Sequence, residues 1–99
     1  MVKIVWTEIA TDDLQDIYDY IADDSERYAS ITVNKFYHRV QELIGNPYLG
    51  RKVPEFDSNL IQEIISGNYR IVYRIINKYQ LDIVRVYHSA RLLKKSSLK

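Results

Sequence analysis

The sequence predicts an α+β fold in the order β-α-α-β-β-β, with an antiparallel helical hairpin packed on one face of a small, mostly antiparallel sheet. Three observations support this prediction. Residues 10–44 carry apolar side chains at helical spacing. Residues 60–88 form three segments rich in β-branched and aromatic side chains, and Gly67-Asn68 separates the first two as a hairpin turn. A chain of 99 residues has room for one core, so residues 1–99 are expected to form a single domain.

Composition narrows the class of protein. No apolar run approaches the length of about 18 residues that predicts a membrane span. The apolar part of the first ten residues is short and is soon followed by acids, which is not typical of a signal peptide. The chain has no cysteine, which excludes disulfides and thiolate metal sites. We therefore expect a cytoplasmic protein that needs no cofactor, no metal and no membrane.

The net charge of +1 hides an uneven distribution of charged residues. Residues 1–32 contain eight acids and two bases, whereas residues 69–99 contain eight bases and one acid, Asp82. Such a distribution suggests that the C-terminal part meets an acidic partner, either nucleic acid or an acidic protein segment. The alternative is that the helix surfaces are simply acidic and the strand surfaces basic.

The first half of the chain predicts one strand and two helices. Residues 2–6 form a β-branched run that indicates a strand at or near a sheet edge. Thr7 is a candidate N-cap for a helix whose apolar stripe begins at Ala10. A second stripe runs from Ala29 to Leu43 with spacings of 4, 3, 4 and 3. The aspartates of the first helix fall mainly on its other side, and we interpret them as a solvated face rather than a metal site.

The second half predicts a loop followed by an antiparallel meander. Both prolines lie in residues 46–59, which also hold the basic pair Arg51 and Lys52 and the carboxylate Glu55. Strands are predicted over residues 60–66, 69–76 and 81–88, and the last is apolar on both faces, as central strands are. We expect the sheet face away from the helices to be a concave functional surface, with the loop at its margin.

The order and spacing of these residues resemble the RelE/ParE superfamily of toxins from type II toxin–antitoxin modules. The matching residues are Val5-Trp6-Thr7, Ala10, Asp13-Leu14, Ile17, Tyr20-Ile21-Ala22, Asn46-Pro47, Gly50-Arg51, Val53-Pro54-Glu55, the run from Asn68 to Ile75, Val86, His88 and Arg91. The opening segment and the loop around Pro54 look more like the ParE branch, which includes plasmid stabilisation proteins. The resemblance implies the same β-α-α-β-β-β fold.

The resemblance also implies a function. A ParE-like chain would inhibit cell growth by acting on DNA gyrase without catalysis, and a cognate antitoxin would neutralise it. A RelE-like chain would instead be a ribosome-dependent mRNA endonuclease, and a third alternative is an inactive antitoxin-binding module. Whether the chain is an enzyme therefore stays open. The expected partners are the antitoxin and either gyrase or the ribosome with mRNA, and a homodimer or a toxin–antitoxin hetero-oligomer is expected.

For the ribonuclease alternative, the resemblance assigns three catalytic residues. Arg70 would hold the scissile phosphate, His88 would act as acid and Glu55 as base. The remaining candidates for target or phosphate binding are Arg51, Lys52, Arg74, Arg85, Arg91 and Tyr87. Ile61 and Glu63 stand where RelE itself has lysines, which departs from its catalytic set. The alternative for Arg70 is a structural one, in which it pairs with a carboxylate on the sheet such as Glu63.

Overall fold

The computed structural model describes residues 2–89, in which two helices pack on one face of a five-stranded sheet. The elements in chain order are β1 (Lys3–Trp6), α1 (Glu8–Ala22), α2 (Glu26–Gly45), β2 (Arg51–Lys52), β3 (Ile61–Ser66), β4 (Tyr69–Asn77) and β5 (Gln80–His88). The strands lie in the order β1-β5-β4-β3-β2. β1 runs parallel to β5, and the other neighbours are antiparallel. The predicted fold is confirmed, and a two-residue strand is added inside the predicted loop.

Thr7 caps the first helix, as the sequence predicts, and Ser25 caps the second. The Thr7 hydroxyl accepts a hydrogen bond from the Ala10 backbone N–H at 3.1 Å, and the Ser25 hydroxyl accepts one from Tyr28 N–H at 3.1 Å. Each cap satisfies one of the N–H groups that a helix start leaves without a backbone partner. Neither helix of the described residues combines the length and apolar character needed to cross a bilayer.

The main core lies between the helices and the sheet. The predicted stripes of both helices supply it, and the strands add every second residue because side chains alternate across a sheet. Its buried members are Ala10, Leu14, Phe36, Val40, Leu43, Ile64, Ile71, Tyr73, Ile75, Leu81, Ile83 and Val86. This arrangement fixes which face of each strand points away from the helices.

The opposite face of the sheet is covered by the loop that follows β2. Val53 and Phe56 are buried there against Val72, Val84 and Tyr87. The expectation of an open concave surface with the loop at its margin is therefore wrong for this part of the sheet. The physical reason is that β4 and β5 are apolar on both faces, so the second face also has to be shielded from water.

Two irregularities set the geometry of the β3–β5 meander. Gly67 has φ +58°, and no described residue other than glycine has positive φ, which fits a type II′ rather than a type I′ turn. In β5 the pairing register passes from Arg85 directly to Ile83, so Val84 forms a β-bulge. The bulge explains why simple alternation along residues 81–88 does not assign the two faces: Ile83 and Val86 join the main core, and Val84 and Tyr87 join the second cluster.

Candidate functional site

A row of four alternating charges lies on the loop-covered face of the sheet. Arg70 is 5% exposed, and its two terminal nitrogens each donate to one oxygen of Glu55 at 2.8 Å. Its Nε donates to Glu63 Oε1 at 2.7 Å. The second oxygen of Glu63 accepts from Arg51 Nε at 2.8 Å. The network therefore runs Arg51–Glu63–Arg70–Glu55 and is neutral as a whole.

The strand register explains how the sequence assembles this network. Arg51 of β2 lies directly opposite Glu63 of β3, so their side chains share one face. Arg70 of β4 lies opposite Ile65, two residues along β3 from Glu63, which brings it within reach of that carboxylate. The loop after β2 then returns across the sheet and places Glu55 over the guanidinium group.

Burial and pairing determine what Arg70 can do. The side chain of Glu63 is fully buried, whereas that of Arg51 is 66% exposed. The hydrogen bonds to Glu55 raise the pKa of Arg70 above its ordinary value, burial opposes this, and Glu63 adds to it. The pair with Glu55 is bidentate, which is the geometry that a phosphate would also use. A phosphate could engage the terminal nitrogens of Arg70 only by displacing Glu55.

The three residues predicted to be catalytic do not come together. Arg70 and Glu55 are in direct contact, but His88 lies across the sheet from them. His88 pairs in register with Tyr69, and its ring lies 5.7 Å from the Tyr69 ring. Tyr69 in turn contacts Phe36 of α2, with ring centroids 5.2 Å apart. His88 is thus on the helix side of the sheet, and Arg70, one position along β4 from Tyr69, points to the other side.

The remaining predicted target-binding residues are mostly engaged in contacts within the chain. Arg85 donates to both carboxylate oxygens of Asp13 at 2.8 and 3.1 Å, and its guanidinium lies 4.4 Å from the centre of the Tyr87 ring. The hydrogen bonds to Asp13 raise the pKa of Arg85. Arg74 is half-buried on the loop-covered face. Arg91 lies outside the described residues.

Lys52 lies at the exposed sheet edge formed by β2, next to Arg51. Its ammonium group pairs with Asp57, whose side chain is 99% exposed. The hydrogen bond from Lys52 lowers the pKa of the Asp57 carboxyl. An exposed pair of this kind can exchange partners easily, so Lys52 is more accessible to an acidic target than Arg70.

Tyr73 organises the start of the loop, and sequence reasoning did not single it out. Its hydroxyl accepts from Gly50 N–H at 3.0 Å and lies 2.8 Å from the Pro47 carbonyl oxygen and 2.9 Å from Gln62 Oε1. Burial raises the pKa of Tyr73, and the Gly50 N–H opposes this effect. A Cβ atom on Gly50 would lie 2.6 Å from both the Glu63 carbonyl oxygen and the Tyr73 hydroxyl. The sequence gives no local signal for this contact between residues 23 positions apart.

Asp13 is a second residue whose role the sequence interpretation missed. Its carboxylate accepts from the Val86 backbone N–H at 2.9 Å as well as from Arg85. β1 ends opposite Ile83, and β5 continues beyond it without a neighbouring strand on that side. There the Asp13 carboxylate replaces the missing strand as hydrogen-bond acceptor for the Val86 N–H. A signal was present, because Asp13 lies three residues after Ala10 and one before Leu14, within the buried stripe rather than on the solvated face.

The described residues contain no group of three or more metal-ligating side chains that could hold a metal ion. Asp12, Asp16 and Asp19 of α1 are exposed, as expected for a solvated face, whereas Asp13 is half-buried.

Comparisons with known proteins agree with this fold. A family model described as "ParE toxin of type II toxin-antitoxin system, parDE" matches residues 4–93. A solved structure titled "Chromosomal ParDE TA system from P. aeruginosa" superposes with a TM-score of 0.72 at 21% identity, covering 89% of this chain and 96% of that chain. The search of curated proteins gave no match. At this identity the structural similarity supports the fold alone, whereas the family match spans most of the chain. The chain belongs to the ParE toxin family of type II toxin–antitoxin systems.

Proposed function

We propose that this chain is a growth-inhibiting toxin that binds DNA gyrase, acts in the cytoplasm and is neutralised by a cognate antitoxin. The proposal rests on the contacts that Arg70 makes with two carboxylates. A ribonuclease would need this guanidinium free to receive a phosphate, with an acid and a base around the same atom. Here two carboxylates already occupy Arg70, and His88 lies on the opposite face of the sheet. This arrangement favours inhibition by binding over RNA cleavage.

A supercoiling assay beside an mRNA cleavage assay tests the proposal. We expect the purified chain to reduce the supercoiling of relaxed plasmid by gyrase in a dose-dependent way. We expect no ribosome-dependent cleavage of mRNA in the parallel reaction. Cleavage with gyrase unaffected would support the endonuclease alternative instead. Neither effect, together with harmless expression, would support an inactive antitoxin-binding module.

His88→Ala provides the matched test of catalysis in cells. His88 is exposed, so its replacement should leave the fold intact. We expect cells producing the His88→Ala chain to stop growing as they do with the unaltered chain. Loss of growth arrest at equal protein level would contradict a non-catalytic mechanism. Arg70 is less suitable for this test because its loss also breaks the buried network.

The proposal includes an antitoxin because the chain belongs to a family of toxins from type II toxin–antitoxin systems. The similar P. aeruginosa structure is titled a ParDE toxin–antitoxin system. We expect the protein encoded beside this gene to restore growth when the two are co-expressed, and to form a hetero-oligomer with this chain. Light scattering after size-exclusion chromatography would give the stoichiometry and would reveal a homodimer of the free chain.

A further inference from the structure

A patch of exposed apolar side chains lies at the end of the sheet where β4 ends and β3 and β5 begin. A cavity of about 260 Å³ opens there, and Tyr48, Leu60 and Ile76 are among the residues that line it. Lys78 also lines the cavity, and its ammonium group lies 5.2 Å from the centre of the Tyr79 ring. All five side chains are exposed. We call these five residues the turn patch.

Three turns of one kind present the large side chains of the turn patch. In each turn a side-chain oxygen accepts a hydrogen bond from the backbone N–H two residues further on, and that second residue is a large, exposed apolar one. The bonded pairs are Asn46 with Tyr48 at 3.2 Å, Ser58 with Leu60 at 3.2 Å and Asn77 with Tyr79 at 2.8 Å. Such bonds fix the backbone of a turn locally. The exposed side chains therefore project from ordered backbone, which lowers the entropy that docking would cost.

The core holds two of these turns in place. The buried Tyr73 hydroxyl lies 2.8 Å from the Pro47 carbonyl oxygen and accepts from Gly50 N–H at 3.0 Å, so the chain is anchored on both sides of Tyr48. The Leu60 carbonyl accepts a hydrogen bond from a β4 N–H at 2.8 Å. Tyr48 and Leu60 are nevertheless 60% and 51% exposed. Exposed apolar side chains grouped on a rigid frame are typical of a protein interaction site.

The charge of the turn patch indicates which kind of partner fits it. Among the described residues that line the cavity, Lys78 is the charged one and none is acidic. The exposed Lys3 belongs to the same end of the sheet, because its backbone N–H donates to the Tyr79 carbonyl at 2.8 Å. Two copies of the chain meeting through this patch would bring like charges together. Leu60 and Ile76 offer a nucleic acid neither a charge nor a ring to stack on. An acidic protein surface with an apolar side chain fits best.

We propose that the turn patch is the surface through which this chain docks on an acidic surface of DNA gyrase. The inference rests on the proposed function, since it takes gyrase as the partner. An aliphatic or aromatic side chain of gyrase would enter the cavity between Tyr48 and Leu60, and a carboxylate beside it would pair with Lys78. Inhibition by binding needs exposed groups of fixed geometry, and the turn patch provides them, whereas Arg70 and Glu63 are buried.

A pair of matched double variants tests the apolar contact. Tyr48→Ala with Leu60→Ala removes both walls of the cavity, and Tyr28→Ala with Ile31→Ala removes side chains of similar exposure from α2. We expect the first variant to raise the concentration that half-inhibits gyrase supercoiling at least about tenfold, and the second to change it less than about twofold. All four residues are exposed, so the circular dichroism of both variants should match that of the unaltered chain.

A second matched pair tests the charge. Lys78→Glu reverses the charge that lines the cavity, and Lys35→Glu makes the same change at an exposed position of α2. In biolayer interferometry with purified gyrase at low salt, we expect Lys78→Glu to weaken binding at least about fivefold and Lys35→Glu to change it less than about twofold. The difference should shrink as the salt concentration rises, because salt screens exposed charges.

The assays separate failure of the inference from failure of the proposed function. If the unaltered chain leaves gyrase fully active, both fail. If it inhibits gyrase and the Tyr48/Leu60 variant inhibits equally well, the inference alone fails. In that case, loss of antitoxin binding by the variant would assign the turn patch to the antitoxin, and loss of a dimer of the free chain would assign it to a second copy. An effect of Lys78→Glu without an effect of the Tyr48/Leu60 variant would also overturn the inference, because charge alone would then explain the binding.

Discussion

The two faces of the sheet are stabilised in different ways, although the same strands form both. On the helix-covered face, the buried residues of the described chain form an apolar core that includes Ile71 and Leu81. On the loop-covered face, a smaller apolar cluster lies beside the buried charges of Glu63 and Arg70. Removing atoms from an apolar core lowers the free energy of unfolding in proportion to what is removed. Removing the partner of a buried charge lowers it more, because the charge is left uncompensated. Single substitutions on the two faces should therefore have different costs.

The largest effect is expected from Glu63→Gln. The substitution keeps the volume of the side chain but leaves the buried guanidinium of Arg70 with only one of its two carboxylate partners, Glu55. We expect the free energy of unfolding to fall by about 3–5 kcal/mol. Ile71→Val, on the other face, should cost about 0.5–1.5 kcal/mol. Urea unfolding followed by circular dichroism measures both.

The triple variant Glu63→Gln with Arg70→Met and Glu55→Gln separates the two causes of that loss, because it also neutralises the carboxylate that Arg70 would leave behind. If the cost comes from an unpaired buried charge, removing the charge should restore a large part of the stability. A triple variant that is no more stable than Glu63→Gln alone would show that packing, not charge, sets the cost. That result would remove the difference drawn between the two faces.

A smaller effect is expected from Tyr73→Phe. The change leaves Gly50 N–H and the two oxygens near the hydroxyl without this partner, and we expect a loss of about 1–3 kcal/mol. Tyr79→Phe is the matched control, because Tyr79 is 63% exposed and should change stability by less than about 0.5 kcal/mol. Equal effects of the two substitutions in a urea titration would argue against Tyr73 as the anchor of the loop.

Alkaline pH should weaken the fold through the same hydroxyl. Burial raises the pKa of Tyr73 above the ordinary value of 10.0, so above that pH the unfolded chain loses a proton that the folded chain keeps. The resulting stability is complete below pH 10 and is lost as the pH rises through the folded pKa. We expect the unfolding midpoint to fall less steeply above pH 10 in Tyr73→Phe than in Tyr79→Phe. Identical slopes would contradict the assignment.

The smallest effect is expected from Asp57→Asn, which removes the partner of Lys52 at the exposed sheet edge formed by β2. The lowered pKa of Asp57 means that its pair with Lys52 is complete above the ordinary carboxyl pKa and is lost as the pH falls through the folded value. Because the carboxylate is fully exposed, water screens the pair. We expect no measurable change in the urea midpoint at pH 7, although a carboxyl NMR titration of the unaltered chain should show the lowered pKa of Asp57. A clear shift in the midpoint would mean that exposed pairs at this edge matter as much as buried ones.

The sequence predicted those parts of the fold that depend on local periodicity. The apolar stripes of α1 and α2, the Thr7 cap and the Gly67 turn are patterns over a few residues, and the structure confirms them. The burial of the loop residues was not predicted, because Val53 and Phe56 belong to no periodic pattern. Their burial follows from the apolar second face of β4 and β5, a property of other segments.

The candidate site was predicted only in part, for a related reason. Arg70 and its alternative partner Glu63 were both named, since they lie on neighbouring strands of one meander. The position of Glu55 over Arg70 depends on the path of an irregular loop, which no spacing rule describes. Simple alternation along β5 does not show on which side of the sheet His88 lies, and its pairing with Tyr69 decides it. Whether any of these residues acts on a target stays a prediction.

The close packing around Gly50 predicts which mutations should inactivate the chain. Every missense change of a glycine codon adds at least a Cβ atom, and at this position that atom would lie 2.6 Å from a backbone oxygen of the neighbouring strand. No choice of rotamer relieves such a contact, because the Cβ position is set by the backbone. If forced expression arrests growth as proposed, codon 50 should collect inactivating substitutions of every kind among spontaneous survivors. Codon 45, whose added Cβ would meet nothing within 4 Å, should be rarely represented.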